Sequence, residues 1–303
     1  MNRRNFVRNI SLGSAAALGT ISPLAAAHLN RAGETFNLDY APHFGMFKAH
    51  AGDGLVAQLE YMHAQGFRSL EDNGLLGRTV EDQNLIGKTL ERLNMRMGVF
   101  VIDGGDNWKI SLTTGKKEFV DTFVATCKKS IEAAKRVNAK WATVVPGFFE
   151  RRLPIGIQTS NVIEALKRGA EILEPAGLVM VLEPLSDTPE LFLRHSDQSH
   201  AICKAVASPS CKILYDLYHM QRNEGNLISM MEACWDEIAY IQIGDNPGRK
   251  EPGTGEINYL NVFKWLDEKG FKGVCGMEHG NAKPGKEGEL ALIEAYRKAD
   301  GFK

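Results

Sequence analysis

Four oxygen-bearing side chains stand at or near the ends of four apolar segments in the second half of the chain. V-M-V-L-E ends in Glu183, K-I-L-Y-D ends in Asp216, Y-I-Q-I carries Gln242, and V-C-G-M-E ends in Glu278. Three carboxylates drawn together would repel one another, and burial would raise their pKa values. A divalent cation resolves that conflict. Three carboxylates and an amide carbonyl form a hard oxygen set, suited to Mg2+ or Mn2+, with Co2+ and Zn2+ left open. A metal flanked by two glutamates suits proton transfer at carbons next to a carbonyl. The ion polarises the carbonyl, one glutamate removes the α-proton, and the other returns a proton to the adjacent carbon. Glu183 and Glu278 are therefore the candidate catalytic pair. Glu183, Asp216, Gln242 and Glu278 are the candidate metal ligands. Each has a plainer reading when taken alone: an acid at a strand end is commonly a helix cap or a solvated turn residue, and Gln242 a satisfied core amide.

Such residues act together only if a fold brings strand ends to one place. Strand-like segments fall at 36–41, 67–71, 97–102, 141–145, 179–183, 212–216, 240–243 and 274–278. Amphipathic stretches lie between them, one opening on a Thr79/Asp82 variant of the capping box. Strands alternating with helices predict an α/β fold, a (β/α)8 TIM barrel, whose active site gathers at the C-terminal ends of the strands. A doubly wound open sheet competes, but no G-x-G-x-x-G turn follows the first strand. No Pro/Ser/Gly linker divides the chain, so residues 28–303 are expected to form one domain.

Composition bounds the partners. Charged residues make up 24% and the formal net charge is -1, which gives no footprint for nucleic acid, and the proton-transfer site implies a small-molecule substrate. The N-terminus runs M-N-R-R-N-F-V-R, then a small apolar stretch, then Ala25-Ala26-Ala27. That order predicts a twin-arginine export signal over residues 1–27, delivering the folded domain to the periplasm with no stable membrane insertion after cleavage. The competing reading is a basic, Ala-rich helix. Cys127, Cys203, Cys211, Cys234 and Cys275 are widely spaced and form no C-x-x-C pair. They read as buried thiols rather than a zinc cage or a disulfide framework. A homo-oligomer is left open.

The stretch Y-I-Q-I-G-D-N-P-G-R-K-E-P-G-T-G-E-I-N-Y runs from Tyr240 to Tyr259. With L-E-P-L and Y-D-L-Y-H-M-Q it resembles the hydroxypyruvate isomerase family, within the xylose-isomerase-like sugar isomerase/epimerase TIM barrels. The resemblance runs from about Phe36 to the last helix. It implies metal ligands at Glu183, Asp216, Gln242 and Glu278, with Glu183 and Glu278 as acid and base. It implies that His219 binds a substrate oxygen and that Arg249 faces the substrate, where it could pair with a carboxylate through two hydrogen bonds. The implied reaction converts hydroxypyruvate to 2-hydroxy-3-oxopropanoate. A ketose 3-epimerase on the same fold, and an exported sugar- or metal-binding protein without turnover, are the alternatives.

Four further residues belong to the candidate substrate pocket or its supports. His43 follows the first strand in Y-A-P-H-F-G, and Glu71 ends the second in S-L-E-D-N. Trp108 lies in a Gly-rich loop, where it reads as a lid or as a loop anchor. Asp245 reads as a partner of a ligand or of Arg249. Glu71 departs from the family, in which an acid followed by aromatic residues is expected.

Overall fold

The computed structural model describes residues 33–303. The expected export segment lies outside the described residues. Eight short strands are found among them: β1 (Tyr40–Ala41), β2 (Ser69–Leu70), β3 (Arg96–Met97), β4 (Trp141–Val144), β5 (Val179–Leu182), β6 (Cys211–Asp216), β7 (Ile238–Gln242) and β8 (Cys275–Gly276). The helices are α1 (Lys48–Ala51), α2 (Leu55–Ala64), α3 (Val80–Arg92), α4 (Lys117–Val137), α5 (Ile155–Leu173), α6 (Ser196–Val206), α7 (Leu217–Asn223), α8 (Leu227–Cys234), α9 (Tyr259–Glu268) and α10 (Gly285–Ala299).

Six strands pair in parallel in the order β1-β8-β7-β6-β5-β4, and β2 pairs in parallel with β3. Two seams close the circle. Between β1 and β2, His43 and Glu71 form a parallel bridge, and the Glu71 amide donates to Pro42 O at 2.9 Å. Between β3 and β4, Val101 bridges Thr143, with Ile102 N to Thr143 O at 2.9 Å and Thr143 N to Phe100 O at 2.8 Å. The result is a closed (β/α)8 barrel rather than a doubly wound sheet. The paired strands are shorter than the apolar segments that announced them. Hydrophobic runs mark burial, whereas the ladder pairs only the residues that adjacent tilted strands bring into register.

Strand parity fixes what faces the barrel axis, because successive side chains point to opposite faces. Ala41, Val99, Val181, Leu214, Tyr240 and Val274 form one small apolar cluster of their own, a layer filling the lumen. Met180, Leu182, Ile213, Tyr215, Ile241, Ile243, Cys275 and Met277 join the main core under the helices. Two residues beyond Val181 comes Glu183, beyond Leu214 comes Asp216, and beyond Tyr240 comes Gln242. Beyond Val274 come Gly276 and then Glu278. All four candidate ligands thus share the parity of the lumen layer and rise above it toward the strand C-termini.

Helix starts sharpen this placement. Thr79 Oγ1 accepts from Asp82 N at 3.1 Å, so the cap expected at α3 is present. β6 runs into α7 without a loop. Asp216 ends the strand and caps the helix, its Oδ1 accepting from Tyr218 N at 2.7 Å. That cap places His219 in the first turn of α7, directly over the barrel mouth.

Candidate metal centre and active site

Glu183, Asp216, His219 and Glu278 bring one ligand atom each to within 4.8 Å of one another, a group able to hold a metal ion. Asp216, His219, Gln242 and Glu183 are buried, while the Glu278 side chain is 26% exposed toward the mouth. Burial raises the Glu183 carboxyl well above the usual range, and the charges of Glu278 and Asp216 raise it further. Burial likewise raises Glu278, with the Arg249 guanidinium opposing it. The cluster therefore holds like charges in a dry place, which a cation would relieve.

Two oxygens are poised for such a cation. Glu183 Oε1 and Gln242 Oε1 are buried with no hydrogen-bond partner. His219 Nε2 is also buried without a partner, but its chemistry differs. Ser186 N–H donates to His219 Nδ1 at 3.1 Å, and a backbone N–H can only donate. Nδ1 therefore holds the lone pair and Nε2 holds the proton of the neutral ring. Burial lowers the pKa of His219 and favours that neutral form. Nε2 lies 3.5 Å from Asp216 Oδ2 and 3.9 Å from Glu183 Oε1. It is a donor facing the cluster, whereas Gln242 presents an acceptor.

Arg249 lies across the mouth. Its Nη2 donates to Glu278 Oε2 at 2.8 Å and reaches Asp216 Oδ2 at 3.4 Å, and its Nε donates to Glu278 O at 3.1 Å. The guanidinium sits over the Tyr218 ring at 5.0 Å. Its backbone adopts φ +49°, a conformation that a non-glycine residue keeps only where its surroundings enforce it. Asp245 provides that enforcement. Fully buried, it accepts from Gly253 N, Gly255 N and Ile257 N at 2.9, 2.8 and 3.1 Å, and its own backbone brackets Arg249 and Lys250. Asp245→Asn replaces one acceptor oxygen by a donor facing these amides. The expected cost is about 1–3 kcal/mol, read as a lower Tm in thermal unfolding. An unchanged Tm would show that the loop holds itself without the carboxylate.

The remaining expected residues, Glu71, His43 and Trp108, take other positions, and His279 lies beside His43. Glu71 is buried, with Oε1 toward Gln242 Nε2 at 2.8 Å and Oε2 toward the Tyr240 hydroxyl at 2.9 Å. Burial pushes its carboxyl up to about 7, against the pull of those two hydrogen bonds. His43 Nε2 lies 3.1 Å from His279 O at the β1 side of the mouth. Trp108 is 53% exposed on the loop after β3. His279 is a buried neutral ring, 2.8 Å from the Tyr296 hydroxyl, its pKa driven down to about 3 by burial.

Two residues that the sequence did not single out also reach the cluster. Asn73 Nδ2 donates to Glu278 Oε1 at 3.0 Å, and its own Oδ1 is buried without a partner. Asp187 Oδ2 lies 3.8 Å from His219 Nε2, and its Oδ1 lies 3.9 Å from Arg249 Nη1. Both lie just past strand ends, in S-L-E-D-N and L-E-P-L-S-D, and position after a strand was the available signal.

Comparison with known proteins agrees with this architecture. The chain is 33% identical over 165 residues to hydroxypyruvate isomerase of Escherichia coli K12, covering 54% of this chain and 62% of that protein. It is 32% identical over 176 residues to 2-oxo-tetronate isomerase of Cupriavidus necator, covering 57% and 67%. Among solved structures, a family 2 AP endonuclease from Brucella melitensis superposes with a TM-score of 0.72 at 22% identity, over 86% of this chain and 99% of that one. The 3-keto-D-glucoside 4-epimerase of E. coli does so with a TM-score of 0.72 at 19% identity, over the same shares. At such identities these two structures speak for the fold alone. Residues 59–299 match the family profile itself, and the chain belongs to the xylose isomerase-like TIM barrel family.

Proposed function

We propose that the protein is a divalent-metal-dependent isomerase of a small hydroxy-oxo acid, most simply converting hydroxypyruvate to 2-hydroxy-3-oxopropanoate. The observation that carries this reading is the inward pair Glu183 and Glu278, on strands that flank those of Asp216 and Gln242 at the barrel mouth. These four residues would hold the ion, and an all-oxygen set favours Mg2+ or Mn2+. When bound, the ion polarises the substrate carbonyl and offsets the carboxylate charges. One glutamate takes the proton from the hydroxyl-bearing carbon, and the C–H electron pair becomes the C=C bond of an enediolate. The other glutamate delivers a proton to the former carbonyl carbon, while the hydroxyl proton passes between the two oxygens. Reactant and product are isomers, so no redox partner is required. His219 donates from Nε2 to a substrate oxygen, and Arg249 meets the substrate carboxylate. The names of the E. coli and C. necator relatives support this class of reaction.

A neutral ketose, epimerised at the carbon next to its carbonyl, is the second reading. It is favoured by the engagement of Arg249, whose Nη2 is already given to Glu278 and Asp216. Incubation of the metal-loaded protein in D2O with hydroxypyruvate, tetroses, pentoses and hexoses tests both readings. Deuterium is expected next to the carbonyl of hydroxypyruvate, with exchange falling at least about 100-fold on chelation and returning with Mn2+. Exchange into a ketose alone favours the epimerase. No exchange into any compound would overturn the enzyme reading and leave a binding protein. The same proposal carries periplasmic export of the folded domain. All five cysteines are buried free thiols, as suits folding before export. Detection of the uncleaved chain in the cytosol alone would overturn that part.

A further inference from the structure

We infer that Glu71 makes Gln242 a metal ligand by fixing which end of its amide faces the cluster. The inference rests on the metal site proposed above. An amide has a donor end and an acceptor end of nearly equal shape, and only the oxygen can bind a cation. Gln242 Nε2 donates to Glu71 Oε1 at 2.8 Å. That bond holds the nitrogen end at Glu71 and turns the oxygen end away from it. Gln242 Oε1 is thereby left buried with no protein partner. None of Glu183, Asp216 and Glu278 hydrogen-bonds to that oxygen. A cation among them satisfies all four at once.

Glu71 is itself held in place. The Tyr240 hydroxyl donates to Glu71 Oε2 at 2.9 Å and accepts from Val99 N at 3.3 Å. Tyr240 and Gln242 share the inward face of β7, so one strand supplies both the ligand and a prop for the carboxylate that orients it. The lumen is also cut to admit this carboxylate. A Cβ at Gly276 would lie 1.7 Å from Glu71 Oε2, and one at Gly98 would lie 2.3 Å from the Tyr240 hydroxyl oxygen. A buried acid with both oxygens on donors is not required for packing, because an apolar side chain of similar volume would fill the same space. Glu71 is thus a positioning residue that acts through Gln242, much as carboxylates orient metal-bound histidines from behind.

The test is Mn2+ affinity of the purified full-length protein, measured from the EPR signal of free Mn2+, with near-UV circular dichroism to confirm the fold. E71Q gives the residue behind Gln242 a donor of its own and frees the ligand amide to turn. Affinity is expected to fall about 10- to 100-fold. Q242E faces one carboxylate with another and is expected to fall comparably. The exchanged pair E71Q/Q242E restores one hydrogen bond, now running from position 71 to position 242, and leaves a carboxylate oxygen for the ion. Its affinity is expected within about threefold of wild type. In a Q242A background, E71Q should cost nothing further, because the group it acts through is gone. Wild-type affinity in E71Q, or an equal E71Q loss in the Q242A background, would overturn the inference while leaving the metal site standing. Absence of Mn2+ binding by the wild-type protein would overturn both.

Discussion

Glu183→Gln is expected to lower isomerisation about 1,000-fold or more and, at the same time, to raise the Tm of the metal-free protein at pH 7. The two effects share one cause. Glu183 is buried beside Glu278 and Asp216, and its Oε1 has no hydrogen-bond partner. In the folded chain its carboxyl pKa is raised above the ordinary value of 4.5, first by burial and then by those neighbouring charges. A group whose folded pKa is raised binds more protons folded than unfolded. Its stabilising contribution is complete below about pH 4.5 and is lost as pH rises through the folded pKa. At neutral pH the metal-free fold therefore carries an ionised or proton-trapping carboxyl at a cost. A neutral amide of the same shape removes that cost. A gain of about 1–2 kcal/mol corresponds to roughly 2–8 °C for a chain of this size. Mn2+ at about 100 times its Kd should stabilise wild type by about 2.7 kcal/mol and the variant much less. Thermal unfolding from pH 4.5 to 8, with and without Mn2+, reads all of this. An unaltered pH profile in Glu183→Gln, with exchange activity retained, would remove Glu183 from both roles.

The placement of the four candidate ligands was legible because strand parity is a local rule. Once V-M-V-L-E, K-I-L-Y-D, Y-I-Q-I and V-C-G-M-E are strands of one barrel, the positions of Glu183, Asp216, Gln242 and Glu278 relative to the lumen follow from counting by twos. Thr79 as a cap was legible for the same reason, since a cap needs only its own first turn. What stayed hidden depends on contacts between distant segments. Glu71 reaches Gln242 across 171 residues, and Asn73 reaches Glu278 across 205. No periodicity encodes either meeting. The tautomer of His219 depends on Ser186, 33 residues earlier, whose backbone N–H and hydroxyl both meet Nδ1. α7 was obscured because Y-D-L-Y-H-M passes from strand to helix at Asp216 with no turn residue between. Asp245 was legible as a support for Arg249, but not the means. Its three backbone bonds exist only because Gly253, Gly255 and Ile257 fold back over it.

Arg249→Met is expected to separate the two roles that this loop gives one side chain. In the first, Arg249 is a counter-charge. Burial works against its positive charge, but Asp216, Glu278, Glu183 and Asp187 raise its pKa, so it remains a cation against the cluster. Removing it leaves those carboxylates to repel, at a cost of about 1–3 kcal/mol after allowance for its partial exposure. A bound divalent ion does the same neutralising from within the cluster, so saturating Mn2+ should shrink the Tm difference between wild type and variant. In the second, proposed role Arg249 recognises substrate. A carboxylate that takes over its Nη2 from Glu278 gains a charge-assisted, two-pronged partner, and Arg249→Met should then raise KM for hydroxypyruvate about 10- to 100-fold. A neutral ketose makes no such demand, and its KM should move less than about threefold. Arg249→Lys keeps the charge but not the fork, so it should recover most of the Tm and little of the KM. The two readings of the reaction part here. If the KM for hydroxypyruvate is unmoved while the metal-free Tm falls, Arg249 is bound to its own carboxylates rather than the substrate's, and a neutral ketose becomes the substrate class that the site fits.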